Sequence, residues 1–165
     1  MLKIKYNILF GVITIGILYA AWEIARPVEI VDVHINNSSE GYYSNYILIN
    51  NFPITDRGRI AWWENNKSML KEKYNIPKHH LDDRFSVSVW DFGDGYKKLP
   101  TGDVRLSLES SDLLCFDDMK VVENCIEKKS LLFIRKYDDR YVFSMGRSSY
   151  RQSVEGGEIT KDAED

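Results

Sequence analysis

The sequence predicts an α+β fold: one N-terminal transmembrane helix, then an antiparallel-sheet domain with one main amphipathic helix. Three observations lead there. An uncharged run opens the chain, a single stretch of helical periodicity follows two alternating segments, and the remainder reads as short strands separated by turns. Regular strand-helix alternation, the mark of a parallel sheet, is missing. The 165 residues divide accordingly into an anchor, 1–25, a domain, 26–155, and a short flexible tail, 156–165, with few apolar groups to bury.

The anchor rests on Tyr6 to Trp22, seventeen residues without a formal charge, "YNILFGVITIGILYAAW". Extended to Ala25, the run makes about twenty residues and roughly 30 Å of helix, the thickness of a bilayer core. Lys3 and Lys5 precede it, while Glu23, Arg26, Glu29 and Asp32 follow. The lysine bias predicts a single-pass inner-membrane protein with a cytoplasmic N-terminus and the domain exported to the periplasm. A cleaved signal peptide and a buried core helix are the alternatives. Cleavage after Ala20 or Ala21 places Leu18 or Tyr19 at the minus-three position, where a small residue is wanted.

In the domain, Val31, Val33 and Ile35 alternate with Asp32 and His34, "NNSSEG" reads as a turn, and "YSNYILIN" reads as a second strand. Together they predict a hairpin. Thr55 or Asp56 then caps a helix that runs to about Tyr74 and stops before Pro77. On a 3.6-residue wheel Ile60, Trp63, Leu70 and Tyr74 share a face, and Trp62 and Met69 fall roughly 100° to one side. Further strands are expected over "RFSVSVWDF", "DVRLSLE", "SLLFIRKY" and "RYVFSMG", the last two joined by a turn at Asp138 and Asp139. In the first of these, Phe85, Val87 and Val89 point one way, so Trp90 and Phe92 point the other.

Composition and motifs exclude several functions. The net charge is -3, with Lys and Arg scattered, so no electrostatic footprint of a nucleic-acid binder is present. Asp91-Phe92-Gly93 has the letters of a kinase magnesium motif, but the glycine-rich loop, strand lysine and catalytic loop that a kinase needs are missing. Neither a Gly-x-Ser-x-Gly elbow nor a phosphate-binding Walker loop occurs. His79, His80, Asp82 and Asp83 have a metal-binding composition on a segment where neighbours point apart, and Gly93 and Gly102 stand where a calcium loop carries acidic ligands. The expectation is a protein without enzymatic activity, cofactor or metal.

Two features remain. Cys115 and Cys125 are the only cysteines, at a spacing that suits neither a metal knuckle nor a redox pair. In an oxidising compartment they are expected to pair, two buried thiols being the alternative. The second feature is "WDFGDGYK", where Gly93 and Gly95 permit a sharp turn that offers Trp90, Phe92 and Tyr96 beside Asp91 and Asp94 to a partner. Trp62 and Met69 form a second candidate flank. The alternative reading is structural: the aromatics fill the second face of a covered sheet.

The runs "RPVEIV", "NNFPITDRGRIAWWENNKSMLKEKYNIP", "WDFGDGYK" and "LCFDDMKVVENCI" resemble the enterobacterial membrane-protein family catalogued as domain of unknown function 943. The resemblance covers nearly the whole chain. It implies a gene beside type VI secretion effectors of the phospholipase class, and hence a membrane-bound immunity protein whose partner is a lipase effector toxin. A structural or assembly subunit of an envelope complex is the alternative function.

Overall fold

The computed structural model of the chain describes residues 11–18, 26–37, 43–80, 82–100 and 112–162. Among these, the fold is built mainly from strands: β1 (Glu29–Asn37), β2 (Tyr43–Asn50), β3 (Phe85–Asp91), β4 (Lys97–Lys98), β5 (Leu113–Cys115), β6 (Glu123–Glu127), β7 (Ser130–Tyr137), β8 (Arg140–Met145), β9 (Ser148–Ser153) and β10 (Thr160–Lys161). Two helical segments accompany them, α1 (11–18) and α2 (Asp56–Tyr74).

Two parts of the expected fold are corrected. Among the described residues no helix is long and apolar enough to cross a membrane, so the N-terminal transmembrane helix is not supported. Residues 1–10 and 19–25 of the expected span lie outside the described residues. The long helix α2 fails on composition, because Asp56, Arg57, Arg59, Glu64, Lys67, Lys71, Glu72 and Lys73 interrupt it. The second correction concerns the sheet. It is mixed, with the order β1-β2-β3-β7-β8-β9-β10, and β2 runs parallel to β3. A parallel neighbour requires a crossover. Here α2 carries the chain back along the sheet, so β3 starts at the same end as β2.

The remaining neighbours in this sheet are antiparallel, beginning with the β1–β2 hairpin. Most of the turn that closes that hairpin, and the whole expected strand "DVRLSLE", lie outside the described residues. β2 is covered on both faces, which explains its run of three fully buried residues, Ile47, Leu48 and Ile49, in place of an alternating pattern. Ile47 and Ile49 face α2 together with Val87, Val89, Leu132, Ile134 and Phe143. Leu48 faces the other way, toward a small sheet of order β4-β6-β5. The molecule is thus three layers deep, with the large sheet between the helix and the small sheet.

Local chemistry fixes α2. The Thr55 hydroxyl accepts the Gly58 N–H at 3.1 Å, Asp56 lies in the first turn, and Lys71 and Lys73 lie in the last, each complementing the helix dipole. Asn75 ends the helix in the left-handed region at φ 56°. Gly58 is needed for close approach: a Cβ there would stand 2.9 Å from the Thr55 hydroxyl and 3.0 Å from the Pro53 side chain. At the C-terminal end, Gly156 and Gly157 turn the chain so that β10 adds to β9, where Arg151 meets Asp162 at 3.0 Å. The residues of this end are mostly exposed.

Candidate functional site

The small sheet is assembled around a covalent bond. Cys115 and Cys125 are cross-strand partners in the β5–β6 ladder and are joined by a disulfide. Inside the loop they close, Phe116 N–H donates to Asn124 O at 2.9 Å and the Asn124 side-chain amide returns a bond to Phe116 O at 3.1 Å. Met119 N–H also donates to Phe116 O, at 3.2 Å. A loop tied this closely has few conformations left. Its outer end presents Val121 and Val122, which are 57% and 66% exposed.

The "WDFGDGYK" segment lies against the same sheet, and its residues divide by role. Trp90, Phe92 and Tyr96 are half-buried and pack on the Leu48, Phe116 and Ile126 cluster, with Phe92 and Tyr96 edge to face at 5.1 Å. They fill the interface between the two sheets, where the Trp90 indole N–H is buried without a hydrogen-bond partner. Asp91 is held by Lys129 at 2.6 Å, and the Asp91 N–H by Lys129 O at 3.0 Å. This pair raises the Lys129 pKa, first through the hydrogen bond and then through charge. The turn follows, with Gly93 and Gly95 at positive φ and Gly95 N–H donating to Phe92 O at 3.0 Å. Asp94 alone among these residues points wholly outward: its side chain is 89% exposed and 3.9 Å from Lys97, which is itself engaged by Glu127.

Trp62 and Met69 are not brought to this surface. They pack against the helix-side core, on the opposite face of the large sheet, where Trp62 meets the Phe52 ring edge to face at 5.1 Å. The two sequence-derived partner sites are therefore separate surfaces.

A feature that the sequence did not announce lies under the small sheet. His34, on β1, is 4% exposed and stacks on the Phe116 ring at 3.9 Å. Its Nδ1 meets both oxygens of Asp118, at 3.0 and 2.9 Å, and its Nε2 meets the Tyr96 hydroxyl at 2.7 Å. That hydroxyl donates to Asp32 at 2.7 Å. Burial first, then the Asp32 hydrogen bond and the charges of Asp32 and Asp118, push the Tyr96 pKa well above its ordinary value, so the phenol keeps its proton. A phenol held neutral in this way is a donor and a poor nucleophile. The carboxylates approach opposite ring nitrogens, so the four groups do not converge on one point as metal ligands would.

On the other side of the large sheet, a cleft of about 410 Å³ lies beside α2, lined by Trp63, Lys67, Lys71, His79, Lys136 and Tyr141 among others. Its cations are already engaged. Lys67 meets Glu64 at 2.7 Å, Lys71 donates to Asn75 and Pro77, and Lys136 and His79 both bind Asp83. The Lys136 and His79 hydrogen bonds hold the Asp83 carboxyl below its usual range. The residues of the His-His-x-Asp-Asp stretch diverge: His79 turns to Asp83, the His80 Nδ1 accepts Tyr43 N–H at 2.9 Å, and Asp82 binds Arg84.

Comparison with known proteins places this architecture. The sequence pattern of the family described as "Enterobacterial putative membrane protein (DUF943)" matches residues 2–163. The chain belongs to this family. No curated protein and no solved structure matches it. Membership covers both sheets, α2 and the disulfide, so the layered domain described above is a structure for the family's shared region.

Proposed function

We propose that this family member is an immunity protein that binds and neutralises a phospholipase-class toxin at the periplasmic side of the inner membrane. One observation carries the reading: the disulfide loop of the small sheet presents Val121 and Val122 outward, while the aromatic residues beside it are committed to holding the sheet in place. A preorganised loop binds with little entropy to lose, which is what an inhibitor requires. Two further points support it. The disulfide suits an oxidising compartment outside the cytoplasm, and a membrane location agrees with the family's description as an "Enterobacterial putative membrane protein".

The test is genetic and then physical. Deleting the gene should make a neighbouring lipase toxic to its own cell, and the purified domain should bind that lipase and stop hydrolysis. Absence of toxicity together with absence of binding would leave a role in envelope assembly as the better reading.

A further inference from the structure

We infer that the small sheet is fastened to the large one by a proton-bridged latch, Asp118–His34–Tyr96–Asp32, that closes fully only when the four groups together hold one extra proton. The argument is a count. Three contacts, Asp118 to Nδ1, Nε2 to the Tyr96 hydroxyl, and that hydroxyl to Asp32, are all of hydrogen-bond length, between 2.7 and 3.0 Å. Each needs one proton between its heavy atoms. A neutral imidazole and a phenol carry two, and ionised carboxylates carry none. With two protons, one of the three contacts sets acceptor against acceptor at contact distance in a site where His34 is 4% exposed. A third proton satisfies all three, and it cuts the network's charge from minus two to minus one.

The latch spans the layers. Asp32 and His34 belong to β1 of the large sheet, Tyr96 follows the glycine turn, and Asp118 sits in the disulfide loop. The groups facing the ring are Asp32 from its own strand, Asp118 and the stacked Phe116 from the loop, Tyr96 from the turn, and Tyr46, which pairs with His34 from β2 and meets Phe116 edge to face. Opening the latch therefore frees the loop that carries Val121 and Val122. Below about pH 6.5 a free imidazole already holds its second proton, so closure costs no proton uptake. Above that value the closed form binds a proton that the open form has shed. Opening then becomes easier by up to tenfold per pH unit until the network itself loses the proton.

The experiment uses nitrogen and carbon NMR of the full chain together with amide hydrogen exchange between pH 6 and 9. At pH 7.5 the spectra should show the third proton, either as two protonated His34 ring nitrogens or as a protonated carboxyl at Asp32 or Asp118. Exchange of the β5 and β6 amides, corrected for the intrinsic base-catalysed rate, should reveal opening that rises by up to tenfold per pH unit, with β7 and β8 unaffected. Asp118→Asn is the decisive variant. Its amide can donate to Nδ1, so a neutral imidazole completes all three contacts and the pH dependence should vanish while protection remains. His34→Gln should lose the pH dependence and the protection together. Spectra without the third proton, or equal pH slopes in the wild type and Asp118→Asn, would overturn the latch.

Discussion

The two faces of the large sheet are covered by different means. On the helix side thirteen of the described residues form one continuous buried core, so apolar area does the holding. On the other side the buried members of the cluster among the described residues are Leu48, Phe116 and Ile126, with Tyr46, Trp90, Phe92, Tyr96, Leu114 and Met119 partly buried around them. There a disulfide, the Asp91–Lys129 pair and the four-group network add specific bonds to the apolar contact. The helix side fixes the fold. The small-sheet side is fastened by a few specific bonds, each of which can be tested alone.

The largest effect should come from the helix side. Trp63→Ala empties the centre of the larger core and should cost about 3–5 kcal/mol, with every layer melting together in chemical denaturation. Replacing Cys115 and Cys125 by serine removes a cross-link worth on the order of 3 kcal/mol in the chain-entropy model. Its loss should appear first as faster hydrogen exchange in β5 and β6, with β2, β3 and β7 still protected; uniform loss of protection would mean that the two faces are not independent.

Smaller effects sharpen the contrast at the surface. Asp83→Asn should weaken the Lys136 and His79 contacts by no more than about 1 kcal/mol, since the Asp83 side chain is 69% exposed. The Asp83 carboxyl is held below its ordinary value, so its contribution is present above about pH 4 and is lost as pH falls through the folded value. Acid titration should therefore bring wild type and variant together at the lowest pH. Asp94→Lys should leave the melting temperature nearly unchanged, because that side chain is 89% exposed. If the proposed lipase partner binds near this turn, assays at low and high salt should show association weakened mainly at low salt, as for a rim charge. An unfolded variant would show that the turn is structural.

The same division governs what could be read from the sequence. α2 was legible because its Thr55 cap, its apolar face and its stop before Pro77 are local signals. β1, β2, β3, β7 and β8 were legible because each is long enough to display alternation or a buried run. The parallel pairing of β2 and β3 was not, since it depends on which strands meet across the sheet; the strand-helix-strand order was its one visible trace. β4 to β6 have two to five residues and show no period. Alternation did indicate that Trp90 and Phe92 leave the helix-side face, and a structural role on the covered side was open from the start. The His34 network was illegible because Asp118 lies 84 residues away in sequence and neither residue sits in a motif.

The register between β3 and β7 has a consequence for how this family can vary. Trp90 pairs with Ser130, and Asp91 N–H bonds to Lys129 O, so the chain leaves and re-enters the large sheet at adjacent points. Everything between, including the small sheet and its disulfide, is topologically an insertion into one β-hairpin connection. Lengthening a loop whose ends are already paired costs little entropy and leaves the parent sheet undisturbed. The excursion can therefore be remodelled, shortened or exchanged as a cassette while the helix-backed sheet stays constant.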